Sequence, residues 1–392
     1  MNDVIIISEV THTGEVHFQV NSCFVEMISG LYPSQKIIFY AETNHNNAVK
    51  ESLSNKQLNN LEFLPFEGYY DEKKFKWTSK IIGECIQIVK ILRKGKLLKS
   101  ELFVWTCLFP TGHFFLNFLL LFQKKSKHII ILHGELEFLK ISGKRKSEVF
   151  LGIILKAGIY LSSKKTKYIV LGENIKKSLK KIVSHRILKR THSILHPYNF
   201  SVDYYLKDLN NSNDQLLNIG AIGTQMLSKN SNYIYSLAEY YKADIIQDKI
   251  NFITIGKILP ELHPFETDLV KKLYSDSFVS QKNFEIEISK LNFIIFFYDN
   301  TAYELCASGA IFEAIRLDVP IISIKNDFFQ WLFDSYGEMG FLCNNLDDIK
   351  LIIDGLKRDG FNEKLVNFRK NIAKFKNDND LTSLAIKLKT II

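Results

Sequence analysis

Residues 308–322 carry the pattern that decides the fold, and they read Ser-Gly-Ala-Ile-Phe-Glu-Ala-Ile-Arg-Leu-Asp-Val-Pro-Ile-Ile. This order predicts a loop, a short helix that opens on Ser308 and Gly309, and a buried strand at residues 319–324. Because Gly309 has no Cβ, a ligand could approach the backbone closely there. The free N–H groups and the partial positive charge at the start of a helix suit phosphate oxygens. Glu313 lies one turn further on, where its carboxylate could accept hydrogen bonds from sugar hydroxyls.

The length of the chain and the spacing of its apolar segments predict two α/β domains. A chain of 392 residues exceeds what one hydrophobic core usually holds. Short apolar segments alternate with helical stretches in both halves, which is typical of βαβ units and parallel sheets. The polar, turn-rich segment 201–215 is the predicted linker. We therefore expect a first domain at residues 1–200, a second at 216–372 and a C-terminal helical tail at 373–392.

Each half contributes a series of predicted strands. In the first half they are Val4–Ser8, Lys36–Tyr40, Leu61–Pro65, Leu102–Thr106, His128–Leu132, Tyr168–Leu171 and Ser193–Leu195. In the second half they are Leu216–Ile219, Asn251–Ile255, Phe293–Phe297 and Pro320–Ile324. Because open parallel sheets bind ligands at the carboxyl ends of their strands, we expect the functional residues in the loops that follow these strands.

The charge of the chain is unevenly distributed. Between residues 90 and 190, 23 Lys and Arg stand against 5 Asp and Glu, a local balance of +18, whereas the whole chain carries +9. A basic segment of this size predicts an anionic partner, such as a lipid headgroup surface, a lipid pyrophosphate or nucleic acid. Nucleic acid is the least favoured of these, because basic and aromatic residues are not interleaved in the usual way. We expect an anionic membrane surface, and no nucleic acid, as the partner of this region.

Two apolar stretches bear on the relation of the chain to a membrane. Residues 102–122 contain no charged side chain and are long enough to span a bilayer. Pro110, Thr111 and Gly112 interrupt this stretch, which favours a strand, a turn and a helix instead. Residues 149–161 are too short to span a bilayer and are flanked by lysines, so they suit either a membrane interface or the core.

The cysteines and the first residues indicate the compartment. Five cysteines are scattered through apolar segments without metal-ligand spacing, which predicts reduced, buried thiols. Residues 1–7 lack the basic start of a signal peptide and read as a first strand. We expect a cytoplasmic protein that binds peripherally at the inner face of the cell membrane.

Two loops of the first half carry titratable side chains. His133 directly follows a predicted strand and should face the ligand-binding edge of the sheet, and Glu135 and Glu137 follow it. This imidazole and the two carboxylates also fit a metal site, but no fourth ligand with sensible spacing accompanies them. The loop after the first strand contains His12 and Glu15, which are possible acid or base groups.

The order of residues 308–322 resembles the nucleotide-sugar half-site of GT-B glycosyltransferases, above all the retaining enzymes of glycosyltransferase family 4 that build bacterial surface polysaccharides. In that family Glu-Ala is followed by a spacer, a proline and an apolar strand. The resemblance covers both halves in architecture and roughly residues 216–345 in motif order. It implies two Rossmann-like domains with the active site in the cleft between them. It also implies transfer of a sugar from a nucleotide-diphosphate sugar to a hydroxyl acceptor, without a cofactor or a metal.

The resemblance assigns roles to individual residues. The donor would be held by residues after the strands of the second half and at the start of the helix, namely Gly220, Gly223, Lys229, Ser308, Gly309, Ala310 and Glu313. His133 would contact the transferred sugar, and Glu135 would orient the acceptor hydroxyl or act as a base, so these two are the predicted catalytic residues. His12, Gly14 and Glu15 would form the loop beneath the acceptor and the donor sugar.

The acceptor and two alternative functions stay open on the sequence. A basic first domain favours a lipid-linked or surface-polysaccharide glycan as the acceptor. Three positions depart from the family pattern, because Leu305 replaces a glutamate, Ala221 an arginine and Asp318 a glycine. These departures leave open a non-catalytic nucleotide-sugar-binding protein. A nucleotide-sugar 2-epimerase, which shares the fold and a similar Ser-Gly turn, is the other alternative.

Overall fold

The structure of the protein is a computed structural model that describes residues 4–68, 77–123, 125–140, 145–202, 216–276, 279–300 and 303–392. The chain divides into two compact units. The first unit comprises the described residues of Met1–Asn199, Leu305–Ala307 and Asn379–Ile392, and the second unit comprises those of Phe200–Glu304 and Ser308–Asp378. Residues 203–215, which make up most of the predicted linker, lie outside the described residues.

The first unit is built on a seven-stranded sheet. Its strands are β1 Val4–Glu9, β2 Lys36–Glu42, β3 Leu61–Phe66, β4 Leu102–Cys107, β5 Lys127–Leu132, β6 Thr166–Val170 and β7 Thr191–Ser193. The spatial order is β3-β2-β1-β4-β5-β6-β7, and all neighbouring strands are parallel. The order reverses between β1 and β4, so the loops after these two strands diverge at a topological switch point, where sheets of this kind bind ligands.

The central strands are buried because both faces of the sheet are covered. All six residues of β1, Val-Ile-Ile-Ile-Ser-Glu, are buried, and so are all six of β4. Near-continuous apolar runs of this kind are what a parallel sheet between two helix layers requires. The helices of the first 200 residues are α1 Phe18–Leu31, α2 Thr43–Ser52, α3 Trp77–Leu97, α4 Pro110–Leu120, α5 Lys146–Leu161, α6 Glu173–Leu179 and α7 His185–Leu188.

The second unit is built on a six-stranded sheet. Its strands are β8 Leu217–Ile222, β9 Ile250–Ile255, β10 Val270–Leu273, β11 Phe293–Phe296, β12 Ile321–Ile324 and β13 Gly340–Cys343. The order is β10-β9-β8-β11-β12-β13, again with parallel pairs throughout and with its reversal between β8 and β11. The helices are α8 Tyr233–Tyr240, α9 Lys242–Ile246, α10 Gln281–Ser289, α11 Gly309–Arg316, α12 Asp327–Tyr336, α13 Leu346–Asp359 and α14 Asn362–Asp378.

The two parallel sheets confirm the predicted α/β fold with two Rossmann-like units. Two strands, β10 and β13, have no counterpart among the predicted strands. Strand β10 reads Val-Lys-Lys-Leu, so two lysines interrupt its apolar pattern. Strand β7 lies two residues earlier than predicted. The segment predicted as a helical tail contains the end of α14, which belongs to the second unit, and α15 Leu381–Ile391, which packs on α1 in the first unit.

Residues 102–122 form strand β4 and helix α4, in agreement with the strand, turn and helix favoured by the sequence. Pro110 lies in the first turn of α4, where its missing N–H group is not needed. In the part of the chain that the structure describes, no helix combines the length and the apolar character needed to cross a membrane. All five cysteines carry free thiols, and Cys23, Cys107 and Cys343 are buried as predicted, whereas Cys85 and Cys306 are half-buried.

Candidate functional site

In the second unit, the start of α11 lies beside the loop that follows β8. Ser308 precedes the helix with φ −100° and ψ 113°, and its side chain caps none of the described amides. Its hydroxyl is hydrogen-bonded with Tyr298 instead. A Cβ added to Gly309 would find no atom within 4 Å, and one added to Gly223 would lie 3.8 Å from the Cβ of Ala310. The start of α11 therefore has open space at Gly309, next to a glycine loop, and the start of a helix can bind phosphate groups.

Glycines without side chains allow two loops of this corner to approach each other. Gly223 has φ +80°, and Gly256, which follows β9, has φ +125°. A Cβ on Gly256 would lie 2.6 Å from the carbonyl oxygen of Gly223. Gly220 has a different reason to be glycine, because it lies inside β8 and Leu291 fills the space that its Cβ would occupy. Of the two predicted donor glycines in this segment, the structure places only Gly223 beside the start of α11.

Lys229 brings a positive charge to the same loop. It ends the short 3-10 helix Leu227–Lys229 after β8. Its Nζ donates a hydrogen bond to the carbonyl of Thr224 at 2.8 Å and lies 5.5 Å from the ring centroid of Tyr303. The ammonium group is thus held by the backbone of the loop that contains Gly223, in a place where it could neutralise a bound anion.

Glu313 belongs to a buried polar network that the sequence analysis missed. Its side chain is 4% exposed. Its Oε1 accepts a hydrogen bond from Gln281 Nε2 at 2.7 Å, and its Oε2 accepts one from Arg316 Nε at 3.1 Å. Arg316 also forms an ion pair with Glu285. The spacing of Arg316 three residues after Glu313 on one helix was the signal available in the sequence, because side chains three positions apart are neighbours.

In the first unit, the buried carboxylate of Glu9 holds the loop after β1. Its Oε1 accepts hydrogen bonds from the amides of Thr11 at 2.8 Å and His12 at 3.0 Å, and its Oε2 accepts one from Asn21 Nδ2 at 3.2 Å. Burial raises the pKa of Glu9 to about 7, although these hydrogen bonds act in the opposite direction. The predicted loop residue His12 is therefore fixed by a carboxylate at the end of the strand.

Helix α2 holds the next part of the same loop. Gly14 adopts a left-handed conformation with φ +57°. Its N–H group donates to Glu42 Oε2 at 3.3 Å, and its carbonyl accepts from His45 Nδ1 at 2.8 Å. His45 Nε2 in turn accepts a hydrogen bond from Asn21 at 2.8 Å. Glu15, the third residue predicted for this loop, has an exposed side chain.

Three imidazoles lie against one another in the first unit. The ring centroids of His12 and His17 are 4.2 Å apart, and those of His17 and His133 are 4.8 Å apart. Burial lowers the pKa of His17 to about 4 and the pKa values of His12 and His133 well below their usual range. The three rings are therefore uncharged at neutral pH, and each can donate one hydrogen bond and accept another.

The structure brings the two predicted catalytic residues together. His133 follows β5 directly, is 6% exposed, and its backbone N–H group donates to Glu135 Oε2 at 3.0 Å. Glu135 lies between two further groups, with Oε1 3.5 Å from His113 Nε2 and Oε2 3.9 Å from Cys107 Sγ. The Nε2 atom of His133 is buried and has no hydrogen-bond partner among the described residues. A hydroxyl group of a ligand could therefore form a hydrogen bond with this nitrogen.

Glu84 of α3 is a second buried carboxylate that the sequence analysis missed. Its Oε1 accepts hydrogen bonds from the Thr11 hydroxyl and from the Phe109 amide, both at 2.8 Å. Burial raises the pKa of Glu84 to about 8, so the group is largely protonated at neutral pH. A Cβ on Gly112 would lie 2.6 Å from the carboxyl carbon. No motif surrounds Glu84 in the sequence, and only the fold brings it next to the loop after β1.

Comparisons with known proteins identify the fold. No protein-family model and no curated protein sequence matches the chain. HepE of Anabaena, solved in complex with UDP-glucose, is 13% identical with a TM-score of 0.66, and the match covers 99% of this chain and 98% of HepE. Sucrose-phosphate synthase of Thermosynechococcus elongatus is 11% identical with a TM-score of 0.66, covering 100% and 98%. The UDP-GlcNAc 2-epimerase of Neisseria meningitidis, solved with UDP-GlcNAc, is 12% identical with a TM-score of 0.57, covering 100% and 99%.

These matches extend over both units and confirm that the chain has the GT-B fold. The solved proteins with this fold include glycosyltransferases and UDP-GlcNAc 2-epimerases. Because the same fold carries different reactions, a likeness at this level of identity shows the fold alone. The reaction has to be argued from the residues of this chain.

Proposed function

We propose that the protein is a glycosyltransferase that moves a sugar from a nucleotide-diphosphate sugar to a hydroxyl acceptor, and that it acts with retention like family 4 enzymes. The observation that carries this proposal is the start of α11, where Gly309 has no side chain and leaves open space beside Gly223 and Ala310. A helix start of this kind stabilises the negative charge of a diphosphate. The structure of HepE with UDP-glucose supports a nucleotide sugar as the ligand of this fold.

In the proposed reaction the second unit holds the donor. The backbone at Ser308, Gly309 and Ala310 binds the diphosphate, and Lys229 neutralises the charge that develops as the diphosphate leaves. Glu313 accepts hydrogen bonds from the ribose hydroxyls. Gln281 and Arg316 donate hydrogen bonds to this carboxylate and hold it in place. The proposed transfer step uses no cofactor or metal, in keeping with the family that the chain resembles.

The first unit binds the acceptor in this proposal. The unsatisfied Nε2 atom of His133 contacts the transferred sugar, and Glu135 orients the attacking hydroxyl. Because the ring of His133 is neutral, it can bind a hydroxyl without adding charge to the site. His12, Gly14 and Glu15 form the loop beneath the sugar.

We further propose that the acceptor is a lipid-linked or surface-polysaccharide glycan at the cytoplasmic face of a membrane. Helices α4 and α5 pack against each other, and they and the turn after α4 expose large apolar side chains. Phe122 is 74% exposed and Phe150 62% exposed. Lys146 and Lys156 lie on α5 within the basic segment. Apolar side chains beside lysines suit insertion into an anionic bilayer surface.

A donor screen with two matched variants tests the transfer reaction. Purified protein is incubated with UDP- and GDP-sugars, and release of the nucleoside diphosphate is measured with and without a lipid extract. We expect release that depends on the extract. The Gly309→Leu variant should keep its melting temperature, since a Cβ there meets no atom within 4 Å, and should bind the donor about 100-fold more weakly. Gly355→Leu, also an open helical position of the second unit, should leave donor binding unchanged.

The same screen separates the two alternatives. The full-length match to the epimerase from Neisseria meningitidis favours a 2-epimerase as the second candidate. An epimerase would convert the sugar of the donor without any acceptor, which NMR of the sugar ring would detect. If no nucleotide sugar raises the melting temperature of the wild-type protein, the proposed donor site is wrong.

A further inference from the structure

Two imidazoles and a thiol converge at the switch point of the first sheet. His12 and His17 lie in the loop after β1, and Cys107 is the last residue of β4. One ligand atom from each of the three residues lies within 4.8 Å of the other two. We propose that His12, His17 and Cys107 bind a zinc ion that ties the loop after β1 to the end of β4. This proposal does not depend on the proposed glycosyl transfer.

The distances agree with a tetrahedral zinc site. With bonds of about 2.3 Å to sulfur and about 2.0 Å to nitrogen, a tetrahedral ion places a nitrogen and a sulfur ligand about 3.5 Å apart. His12 Nε2 lies 3.6 Å from Cys107 Sγ. Two nitrogen ligands of such an ion lie about 3.3 Å apart. Since the ligand atom of His17 lies within 4.8 Å of the other two, its ring needs to move by no more than about 1.5 Å. Three protein ligands leave the fourth position to a water molecule.

The ligand types select zinc. Thiolate and imidazole together are typical of zinc sites, whereas magnesium and calcium prefer oxygen ligands. Nδ1 of His17 is buried and has no hydrogen-bond partner among the described residues. Binding converts the Cys107 thiol to a zinc thiolate and releases one proton to solvent.

The surroundings of Cys107 favour a cation. The thiol is buried, and the Glu135 carboxylate lies 3.9 Å from Sγ. A divalent ion would compensate both the buried thiolate and the nearby Glu135 carboxylate.

The backbone of the loop presents the ligands before a metal binds. His17 has φ +64°, a left-handed conformation that is unfavourable for a residue with a Cβ and that concentrates at functional sites. Glu9 fixes the amide of His12 at 3.0 Å. A loop that is already ordered loses little entropy when it binds an ion, which raises the affinity of the site.

Metal analysis of the full chain tests the proposal. Protein prepared without a histidine tag, dialysed with zinc and then freed of loose ions, should contain about one zinc per chain by mass spectrometry. After removal of zinc by a chelator, cobalt(II) should restore the site and give a thiolate-to-cobalt absorption band. Cys107→Ser should abolish this band and the bound zinc. His17→Gln, at a half-buried loop position that tolerates the change, should lower zinc affinity at least about tenfold.

The control is Cys343→Ser, which alters a buried thiol of the second unit and should retain one zinc. Circular dichroism verifies that each variant is folded. Zinc that stays bound in folded His17→Gln and Cys107→Ser would overturn the proposal. Folded wild-type protein that takes up no stoichiometric zinc would also overturn it, and Cys107 and His12 would then form only a thiol–imidazole hydrogen bond. Uptake of copper in place of zinc would overturn it as well. No sugar enters these measurements, so failure of the proposed transferase activity would not affect the result.

Discussion

The two units form their candidate sites from different parts of the chain. In the second unit the site is mostly backbone: the start of α11 and two glycines, Gly223 and Gly256, with positive φ angles. In the first unit the site consists of buried titratable side chains on separate strands, helices and loops, including Glu84 and His133. A site formed by the backbone depends on glycines at particular positions within short stretches of sequence. A cluster of side chains depends on the tertiary fold that brings distant residues together. The two sites should therefore fail in different ways when they are mutated.

The largest effect is expected from Gly256→Val, which tests the backbone site. The new Cβ would lie 2.6 Å from the Gly223 carbonyl at a φ of +125°, which only glycine adopts without strain. We expect a loss of about 4 kcal/mol in the free energy of unfolding, measured with urea, together with loss of donor binding. Gly309→Ala is the control and should lose no stability. If Gly256→Val is as stable as the wild type, the second unit does not depend on close backbone approach.

This difference explains what the sequence could predict. The motif around Ser308 and Gly309 was visible because a helix start, an open glycine and the next strand follow one another within a few residues. His133 was visible because it directly follows a strand. Glu84 could not be predicted as a site residue, because in the sequence it is one polar residue among others on a helix. Helix α3 joins the site only through hydrogen bonds to residues that are distant in the sequence. Strand β10 was not predicted because two of its four residues are lysines, so it has no continuous apolar run.

The pH dependence of stability tests the side-chain cluster. The pKa of Glu84 is about 8 in the folded protein and lies near 4.5 without burial. The folded state therefore binds the extra proton, so this stabilisation is complete below about pH 4.5 and is lost as the pH rises through 8. Glu84→Gln removes the titration, and its stability relative to the wild type should rise between pH 5 and pH 9 by on the order of 3 kcal/mol.

Urea unfolding of both proteins in the presence of a chelator measures this change without interference from bound metal. Glu101→Gln, at an exposed position, is the control and should follow the wild-type pH profile. A constant offset between Glu84→Gln and the wild type across this range would mean that Glu84 is ionised in the folded protein, and that the cluster is more polar inside than its burial indicates.

A smaller effect is expected where the second unit does use a side chain. Glu313→Gln keeps the shape of the network with Gln281 and Arg316 but removes the charge that would strengthen the proposed hydrogen bonds to ribose. Calorimetry should show UDP binding about tenfold weaker. The variant should discriminate less between UDP and its 2′-deoxy analogue than the wild type does. Glu285→Gln, which alters the other partner of Arg316, is the matched control; equal weakening in both variants would assign Glu313 a structural role only.

The smallest effect concerns the apolar surface of the first unit. Phe122 and Phe150 are 74% and 62% exposed, so Phe122→Ser and Phe150→Ser should leave the unfolding free energy unchanged within about 0.5 kcal/mol. Each should reduce sedimentation with anionic vesicles at low salt several-fold, because a phenyl group that enters the bilayer interface stabilises binding. Ile246→Ser removes a side chain of similar exposure, 70%, from the second unit and should sediment like the wild type. If sedimentation falls equally in all three variants, the exposed phenyl groups of the first unit have no special role in lipid binding. The basic charge of residues 90–190 would then bind the vesicles without apolar insertion.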